Sequence, residues 1–403
     1  MAPSAITVDS QIGASKASVG RVGEWYLPEV TPSTVPKPSG KFHGNAQIDP
    51  DLLLGHKESL KYGHALDHYR QFDVTPNTGR EFPEANLADW LRAPNSDQLI
   101  RDLAITISQR GVVFFRAQND LTIELQKELA QRLGQLSGKP STSGLHIFPF
   151  VYGDEKRDKE VTVITHEDKP IDKGKVHARL QDPNTTPPHK MWHSDTTFEH
   201  VPADYAVLRM SKLPRTGGDT IWVSGYEVYD RLSEPLKKFF GNLTFTGGQP
   251  AYHAKAAANG TPYYTEQRGA PENVGKHIRA IHPVVRTNPV SGWNSIYALG
   301  HHVEHINNVT PAESTRLLDW LHDIVVLNHD IHVRHRWVND NDVALWDNRS
   351  MVHTATPDYL GKGLGDRRGF RVMSIGERPY FDPCAVGRAE ALLPEEETEK
   401  RDF

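Results

Sequence analysis

Four side chains in two distant parts of this sequence constrain what the chain can fold into. His193 and Asp195 lie close together in the middle of the chain, whereas His353 and Arg367 lie near its C-terminal end. Two imidazoles and one carboxylate can occupy one face of an octahedral Fe(II) ion and leave the other positions open. An arginine nearby can pair with the distal carboxylate of a 2-oxoglutarate co-substrate. The fold must bring both segments to one site, and we expect an iron oxygenase.

The first two ligands lie in a segment whose residues favour an extended strand. Residues two apart in a strand point to the same face, so His193 and Asp195 can converge on one ion. Their aromatic and β-branched neighbours favour extension. Two similar triplets also occur, His166-Glu167-Asp168 and His302-Val303-Glu304. The first of these opens into a turn, so we expect His193 and Asp195, rather than His166 and Asp168, to hold the metal.

The third ligand, His353, has its own context. An apolar strand at 343–346 ends in the polar turn Asp347-Asn348-Arg349, and the next strand carries His353 inward. Arg367 and Arg371 follow, and the even spacing between them places both side chains on the same face of a strand. Without the metal ligands, two arginines at this spacing would indicate only a solvated strand face.

Many short strands predict a mainly β fold with flanking helices. Apolar residues at helical spacing predict one helix from Ser96 to Gly111 and a second from Thr122 to Leu133, closed by Gly134. Thr310 and Glu313 form a capping box at the start of a third helix. The predicted strands are 112–115, 161–165, 205–210, 219–223, 282–286, 295–299, 343–346 and 370–375. Short strands with Gly/Pro turns favour a double-sheet jelly roll over a doubly wound parallel sheet.

Composition and charge narrow the class of protein. The chain has 403 residues, of which 37% are hydrophobic, enough to bury a large core. The net charge is -5 and no Lys/Arg stretch is interleaved with aromatics, so we expect a small-molecule substrate and neither nucleic acid nor an anionic membrane as partner. The single cysteine, Cys384, excludes an internal disulfide framework and suits the cytosol. The sequence leaves a homo-oligomer open.

Three segments differ in composition. Residues 1–45 are rich in Ser, Pro and Gly and predict a flexible N-terminal extension. Residues 46–385 contain the predicted elements and form the expected catalytic domain, and residues 386–403 form an acidic C-terminal tail. Within the domain, segment 167–190 is loaded with Lys, Asp and Pro, which suits either a mobile lid or a solvated surface loop.

Five stretches of the chain together form a pattern that is typical of one protein family. They are 111–116, 192–195, 216–222, 282–287 and 346–349. In these stretches the chain resembles the taurine dioxygenase (TauD/TfdA) family of Fe(II)/2-oxoglutarate-dependent dioxygenases, in particular its fungal sulfonate dioxygenase-like members. The resemblance implies a double-stranded β-helix, with His193, Asp195 and His353 as ligands of Fe(II) and with O2 as the second co-substrate.

The same resemblance implies roles for three further residues. Thr220 and Arg367 match positions that bind the distal carboxylate of 2-oxoglutarate. Arg371 matches the position at which taurine-oxidising members hold the anionic group of the substrate.

The chain departs from the taurine-oxidising pattern on the substrate side. Ser137 stands where those members have a histidine, His189 replaces an asparagine, and His302 replaces a pocket phenylalanine. We therefore expect these three residues to contact a substrate other than taurine.

The expected function is oxidation of a C–H bond in a small anionic substrate, such as a sulfonate, a sulfate ester, or an amino or carboxylic acid. Oxidation of a purine or of a secondary-metabolite intermediate by the same mechanism is the alternative. Two hypotheses from other classes remain. A zinc hydrolase could use His301 and His305 on one helix face, although Glu304 does not occupy the general-base position of a His-Glu-x-x-His motif. The other is a jelly-roll binding module without catalysis.

Overall fold

In a computed structural model of the chain, the strands of the described residues assemble into four sheets. The structure describes residues 58–149, 158–166, 188–249, 252 and 264–394. The predicted N-terminal extension, residues 1–45, lies outside the described residues. The same holds for residues 167–187 of the predicted lid or surface loop.

Short strands make up most of the described elements. In chain order they are β1 (Phe72–Asp73), β2 (Arg80–Phe82), β3 (Val112–Phe115), β4 (Thr162–His166), β5 (Ala203–Lys212), β6 (Thr220–Ser224), β7 (Thr244–Gly248), β8 (Arg279–Pro283), β9 (Val285–Thr287), β10 (Asn294–Ile296), β11 (Val303–Ile306), β12 (His332–His335), β13 (Val343–Asp347), β14 (Met351–Ala355) and β15 (Arg367–Ile375).

Helices flank these strands. They are α1 (Leu87–Arg92), α2 (Ser96–Arg110), α3 (Ile123–Leu136), α4 (Gly225–Asp230), α5 (Glu234–Gly241), α6 (Pro311–Leu327) and α7 (Arg388–Ala391), with short 3-10 helices at Pro188–Met191 and His329–Ile331. Among the described residues, no helix has the length and apolar character needed to cross a membrane.

Two of the sheets position the site. The large sheet has the order β1-β2-β3-β13-β5-β15-β4, and a three-stranded sheet has the order β12-β6-β14. Neighbouring strands are antiparallel except for β2 and β3. Two smaller sheets, β11-β7-β8 and β10-β9, complete the set. The mainly β architecture predicted from the sequence is confirmed, and these described sheets form no closed barrel.

Successive side chains along the strands of the large sheet point to opposite faces, and each face packs against a different layer of the protein. Phe115 of β3 and Val372 of β15 belong to the apolar cluster formed with α1, α2 and α3. Their neighbours Phe114 and Met373 belong to a second cluster, which includes Trp222 of β6. Inward-facing positions of β15 therefore point into the layer between the two sheets.

The element boundaries confirm some local predictions. Helix α2 covers Ser96–Arg110 and ends at Gly111, which has a φ of 76°. Strand β3 has the predicted bounds. The predicted strand 282–286 is divided between β8 and β9, and the strand predicted at 295–299 is shorter, Asn294–Ile296.

The predicted end of α3 at Gly134 is wrong. The helix continues to Leu136, and Ser137 is its C-cap. A Cβ atom on Gly134 would lie 2.6 Å from the Ser374 hydroxyl and 2.7 Å from Asp204 Oδ2. The glycine lets the helix pack closely on the large sheet, and this tertiary contact is invisible in the local sequence.

The capping box at Thr310 is confirmed. The Thr310 hydroxyl accepts from the Glu313 N–H (3.3 Å), and the Glu313 carboxylate accepts from the Thr310 N–H (2.7 Å). This exchange satisfies two free donors at the start of α6. Leu321 is buried on the inner face of this helix.

Part of the predicted C-terminal tail packs onto the domain. Arg388 in α7 donates to Glu227 (3.3 Å), and the Ala389 N–H donates to Asp230 (2.9 Å) in α4. The domain boundaries at 45/46 and 385/386 stay predictions.

Candidate metal centre

The backbones of His193 and His353 hold these two residues together. The His193 N–H donates to the His353 carbonyl (3.1 Å), and the His353 N–H donates to the His193 carbonyl (2.8 Å). His193 forms an isolated bridge at this point, whereas His353 lies in β14, paired with β6. The centroids of the two imidazoles are 4.3 Å apart. Strand-like pairing therefore brings together two ligands that are distant in sequence.

Asp195 reaches the same place from a turn, so the expected strand running through His193 and Asp195 is wrong. The turn begins at Asp195, and Thr196 has a φ of 59°. The Glu199 N–H donates to the Thr196 carbonyl (2.8 Å), and the Ala203 N–H donates to the Thr196 hydroxyl (2.8 Å). These buried hydrogen bonds outweigh the preference of aromatic and β-branched residues for extension.

The three side chains converge. Asp195 Oδ1 lies 3.7 Å from His193 Nε2, and Asp195 Oδ2 lies 3.9 Å from His353 Nε2. Within the described ranges, these side chains form the one group of three His, Cys, Asp or Glu residues whose ligand atoms are close enough to hold a metal, all within 4.8 Å. Of the competing pair, His166 is the last residue of β4, and Asp168 lies outside the described residues.

Burial keeps both imidazoles neutral, as metal ligands must be. It lowers the pKa of His193 well below its usual value, helped by the neighbouring His353. It lowers the pKa of His353 to about 3, helped by the charge of Arg371. His193 Nδ1 donates to the Met191 carbonyl (2.9 Å), a bond that leaves Nε2 with its lone pair toward the site. His353 Nδ1 has no hydrogen-bond partner among the described residues.

The donor set fits Fe(II). Asp195 Oδ2 is buried and has no hydrogen-bond partner among the described residues, an arrangement that is costly for a carboxylate oxygen. A cation bound between this oxygen and the imidazoles of His193 and His353 would remove that cost. Two neutral imidazole nitrogens and one carboxylate form the facial set that suits non-haem Fe(II).

Asn348 supports the turn at 195–198, called the metal turn below, a role that sequence reasoning missed. Its side-chain oxygen accepts from the Trp346 indole N–H (2.9 Å) and from the Asp195 N–H (3.3 Å). Its carbonyl accepts from the Ser194 hydroxyl (2.7 Å). The stretch 346–349 signalled the family resemblance, and its contacts explain why these residue types are needed there.

The turn that presents Asn348 is fixed by a buried ion pair. Arg349 donates through Nε to Asp347 Oδ1 (2.7 Å) and through Nη2 to Asp347 Oδ2 (2.7 Å). Asp347 also accepts from Ser108 (2.7 Å) and Asn288 (2.9 Å). The charges are therefore paired and hydrogen-bonded on all sides, which makes a buried ion pair tolerable.

Gly300 is the second site residue that sequence reasoning missed. It forms an isolated bridge with His193 and has a φ of 87°. A Cβ atom at this position would lie 2.7 Å from His193 Cα and would also strike the Trp192 carbonyl. Only glycine allows the backbone to approach the first metal ligand so closely.

Arg367 and Thr220 meet, as the resemblance implied. Arg367 donates through Nε to the Gly218 carbonyl (2.9 Å) and through Nη2 to the Thr220 hydroxyl (3.1 Å). The same hydroxyl accepts from the Trp337 indole N–H (3.2 Å). Both partners are donors only, and a hydroxyl has two acceptor positions. The Thr220 proton is therefore left for another acceptor.

Arg367 differs from the other buried arginines. Each of five has a carboxylate oxygen within 4.0 Å: Arg110, Arg268, Arg286, Arg349 and Arg371. Arg367 is only 2% exposed and has no such partner among the described residues. Burial lowers the pKa of Arg367, which shows the cost of keeping this charge out of water. A bound anion would stabilise this buried guanidinium.

Arg371 lies directly beside the candidate metal ligands. Its Nη1 donates to Asp195 Oδ1 at 2.6 Å. Of the three arginines of β15, Arg367 and Arg371 are buried and Arg368 is exposed, as expected if Arg367 and Arg371 share the inner face. Arg371 Nε is buried and has no hydrogen-bond partner among the described residues.

The remaining predicted substrate residues lie at different places. His302 is buried, with its ring centroid 5.3 Å from that of His193. His189 is exposed on the 3-10 helix that leads to the site, 6.0 Å from the ring of His322. Ser137 caps α3, and its hydroxyl donates to a carbonyl of the last turn (3.1 Å). Of these three residues, the structure brings only His302 into ring contact with a candidate metal ligand, and the substrate roles of all three stay predictions.

The helix required by the zinc-hydrolase hypothesis does not form, and that expectation is wrong. His301 lies in a turn, and His305 lies in strand β11 with an exposed side chain. His301 Nδ1 instead hydrogen-bonds the Trp192 carbonyl (3.1 Å). Residues four apart share a face at close range only in a helix.

Comparisons with known proteins agree with this geometry. Residues 70–373 match the family described as "Taurine catabolism dioxygenase TauD, TfdA family". The chain is 46% identical over 345 residues to alpha-ketoglutarate-dependent dioxygenase btcD of Neocamarosporium betae, a match that covers 83% of this chain and 98% of that protein. It is 29% identical to the alpha-ketoglutarate-dependent sulfonate dioxygenase of Saccharomyces cerevisiae, over 89% of this chain and 78% of that protein.

A solved structure shares the fold. The crystal structure of a taurine dioxygenase from Burkholderia xenovorans superimposes with a TM-score of 0.55 at 25% identity, covering 78% of this chain and 92% of that one. The jelly-roll, or double-stranded β-helix, fold expected from the sequence is confirmed.

Replacing Gly300 with alanine tests how the first ligand is positioned. The added methyl group must displace the His193 backbone, so we expect Gly300→Ala to weaken Mn(II) binding by about tenfold or more, the usual size of effects on the support of a metal ligand. Electron paramagnetic resonance of free Mn(II) measures the affinity in the absence of other ligands.

Gly275→Ala is the matched control. Gly275 has a similar φ of 80°, but a Cβ atom there would meet nothing within 4 Å. Both variants therefore carry comparable backbone strain, about 1–2 kcal/mol, and only one alters the site. Equal Mn(II) affinities in the two variants would contradict the role of Gly300.

Proposed function

As a member of the taurine catabolism dioxygenase TauD, TfdA family, this chain is an Fe(II)- and 2-oxoglutarate-dependent dioxygenase, and we propose that it oxidises a C–H bond of a small anionic substrate. Bound Fe(II), 2-oxoglutarate and O2 together supply the oxidising power, and the co-substrate leaves as succinate and CO2. We assign the metal to His193, Asp195 and His353. Membership of this enzyme family removes the hypothesis of a non-catalytic binding module.

We assign the distal carboxylate of 2-oxoglutarate to Arg367 and Thr220. The observation that carries this assignment is the buried Arg367 guanidinium, which has no carboxylate partner among the described residues. A carboxylate placed there would neutralise the buried charge and accept a charge-assisted hydrogen bond. The proton of the Thr220 hydroxyl, which is not needed by Arg367 or Trp337, can be donated to the same carboxylate.

We assign the anionic group of the substrate to Arg371. Its Nε is buried and lacks a partner among the described residues, and its guanidinium lies beside the metal ligands. A guanidinium suits a sulfonate, a sulfate ester or a carboxylate equally well. The name of the Saccharomyces cerevisiae relative, a sulfonate dioxygenase, supports an anion. The relative at 46% identity is named only for its reaction class, so its name does not narrow the substrate.

The substrate residues argue against taurine itself. Where taurine-oxidising members carry a histidine, an asparagine and a phenylalanine, this chain has Ser137, His189 and His302. A buried imidazole at His302 adds a hydrogen-bonding group where those members present an apolar ring. We therefore propose a substrate with a polar group in addition to its anion, oxidised by a cytosolic enzyme.

Removing Arg367 tests the co-substrate assignment. Leaving a buried carboxylate without its charged partner typically costs about 2–5 kcal/mol. We therefore expect Arg367→Ala to raise the 2-oxoglutarate requirement roughly 30-fold to several thousand-fold. Anaerobic titration of the Fe(II) protein, followed by the metal-to-ligand charge-transfer band, measures it.

Arg368→Ala provides the control for that titration, because Arg368 is the next residue of the same strand and is exposed. It should bind 2-oxoglutarate as the unchanged protein does. If Arg367→Ala also retains the original 2-oxoglutarate affinity, Arg367 does not bind the co-substrate.

A panel of matched compounds tests the substrate class. Each pair joins an anion to its neutral analogue, for example a sulfonate with its sulfonamide and a carboxylate with its amide, and purines are included. Substrate-stimulated succinate formation is the measurement. We expect stimulation by the anionic members, because only they can pair with Arg371. Stimulation by a purine or by the neutral members to the same degree would reject the anionic substrate.

A further inference from the structure

We infer that Arg371 restricts Asp195 to a single oxygen for the metal and so sets how many metal positions stay open. This inference rests on the proposed function only in placing Arg371 at the active site. It gives Arg371 a positioning role that is separate from any contact with the substrate.

The contact between the two side chains is short and buried. Arg371 Nη1 lies 2.6 Å from Asp195 Oδ1, and the residues are 8% and 3% exposed. Water cannot easily replace a partner in such a place, so the pair is expected to persist. The other carboxylate oxygen, Oδ2, has no hydrogen-bond partner among the described residues. One oxygen is therefore occupied by the guanidinium, and the second is left for a cation.

The backbone of Arg371 is fixed, so the guanidinium stays near Asp195. Arg371 lies in β15 between two neighbouring strands, opposite Leu208 of β5 and Thr162 of β4. Asp195 is the first residue of the metal turn, and its N–H donates to the side-chain oxygen of Asn348. The ion pair thus joins the large sheet to the metal turn, with each partner anchored by its own hydrogen bonds.

The contact between Arg371 and Asp195 Oδ1 affects how many coordination positions of the metal stay open. Two imidazoles and one carboxylate oxygen leave three positions of an octahedral ion open. A carboxylate that binds through both oxygens would leave only two. By holding Oδ1, Arg371 keeps the third position available, which the family's chemistry needs beyond the two taken by 2-oxoglutarate.

Arg371 is also expected to weaken metal binding. Losing an outer hydrogen-bonding partner of a metal ligand, such as a carboxylate, a carbonyl or a water, usually lowers metal affinity by about 10- to 100-fold. Here the partner is a cation, which repels the metal and competes with it for the charge of Asp195. At separations of a few Å this repulsion is the larger effect. Removing the charge should therefore tighten metal binding rather than weaken it.

Mn(II) binding to the unchanged protein and to two variants tests the inference without 2-oxoglutarate or substrate. Water-proton relaxation gives the number of water molecules on the bound ion, and a titration gives its affinity. The unchanged protein should hold three waters. Arg371→Met should hold two and bind Mn(II) about tenfold or more tightly. Arg371→Lys, which keeps a charged donor, should restore three waters and an affinity close to the original.

Two further variants complete the design. Arg368→Met removes an arginine of the same strand whose side chain is exposed, where solvent screens its charge, and it should keep three waters and the original affinity. Arg371→Gln has a shorter side chain that withdraws the donor from Oδ1, and it should behave as Arg371→Met does, which covers the case that the Met variant fails to fold. Circular dichroism checks the folding of each variant.

Three waters in both Arg371→Met and Arg371→Gln would overturn the inference, as would weaker Mn(II) binding in both. Neither result depends on the substrate. A panel that shows no preference for anions would reject the anionic substrate and leave the water counts unchanged. Conversely, loss of anion-stimulated turnover in Arg371→Met with three waters retained would leave Arg371 as a substrate contact only.

Discussion

The site depends on one pair of backbone hydrogen bonds, between His193 and His353. They hold the two imidazoles side by side through strand-like pairing of the backbone. The third ligand then needs only a turn, and Asn348 holds the first N–H of that turn. Because the chain at Gly300 passes against the His193 backbone, a side chain there would disturb the pair on which the site is built. The metal centre is therefore a product of close backbone packing as much as of its ligands.

Buried charged side chains determine which ions this site can bind. Asp195 and Arg371 neutralise each other, whereas Arg367 has no carboxylate partner in the described part of the chain. A dication and a dianionic co-substrate would add no net charge, and under the proposed assignment the distal carboxylate of 2-oxoglutarate would pair with Arg367, the one buried arginine of the described residues without a carboxylate partner. The ion pair of Asp347 and Arg349 is already complete and serves only to hold the turn behind the metal. Buried arginines thus have different roles: Arg349, which is paired with Asp347, supports the backbone, whereas Arg367 is available to bind an anion.

Much of the site could be predicted from the sequence, because two histidines, a carboxylate and a nearby arginine are the residue types that an Fe(II) site with a 2-oxoglutarate co-substrate needs. His353 and the capping box at Thr310 follow from local patterns that the structure confirms. The turn at Asp195 and the continuation of α3 past Gly134 could not be predicted, since each depends on tertiary contacts. Gly300 and Asn348 were missed for the same reason: their importance comes from what they touch. The identity of the substrate could not be predicted, because it depends on contacts with a molecule whose structure the sequence does not contain.

The most direct test of the account is the position of a bound metal in a crystal of the protein soaked with Mn(II). Anomalous scattering at the manganese edge locates the ion independently of any assumption about ligands. We predict a single strong peak bound by His193 Nε2, Asp195 Oδ2 and His353 Nε2, with Arg371 still paired to Asp195 Oδ1. A peak on other side chains, such as His301 and His305, or no peak at the triad at saturating Mn(II), would contradict the assignment on which the proposed function rests.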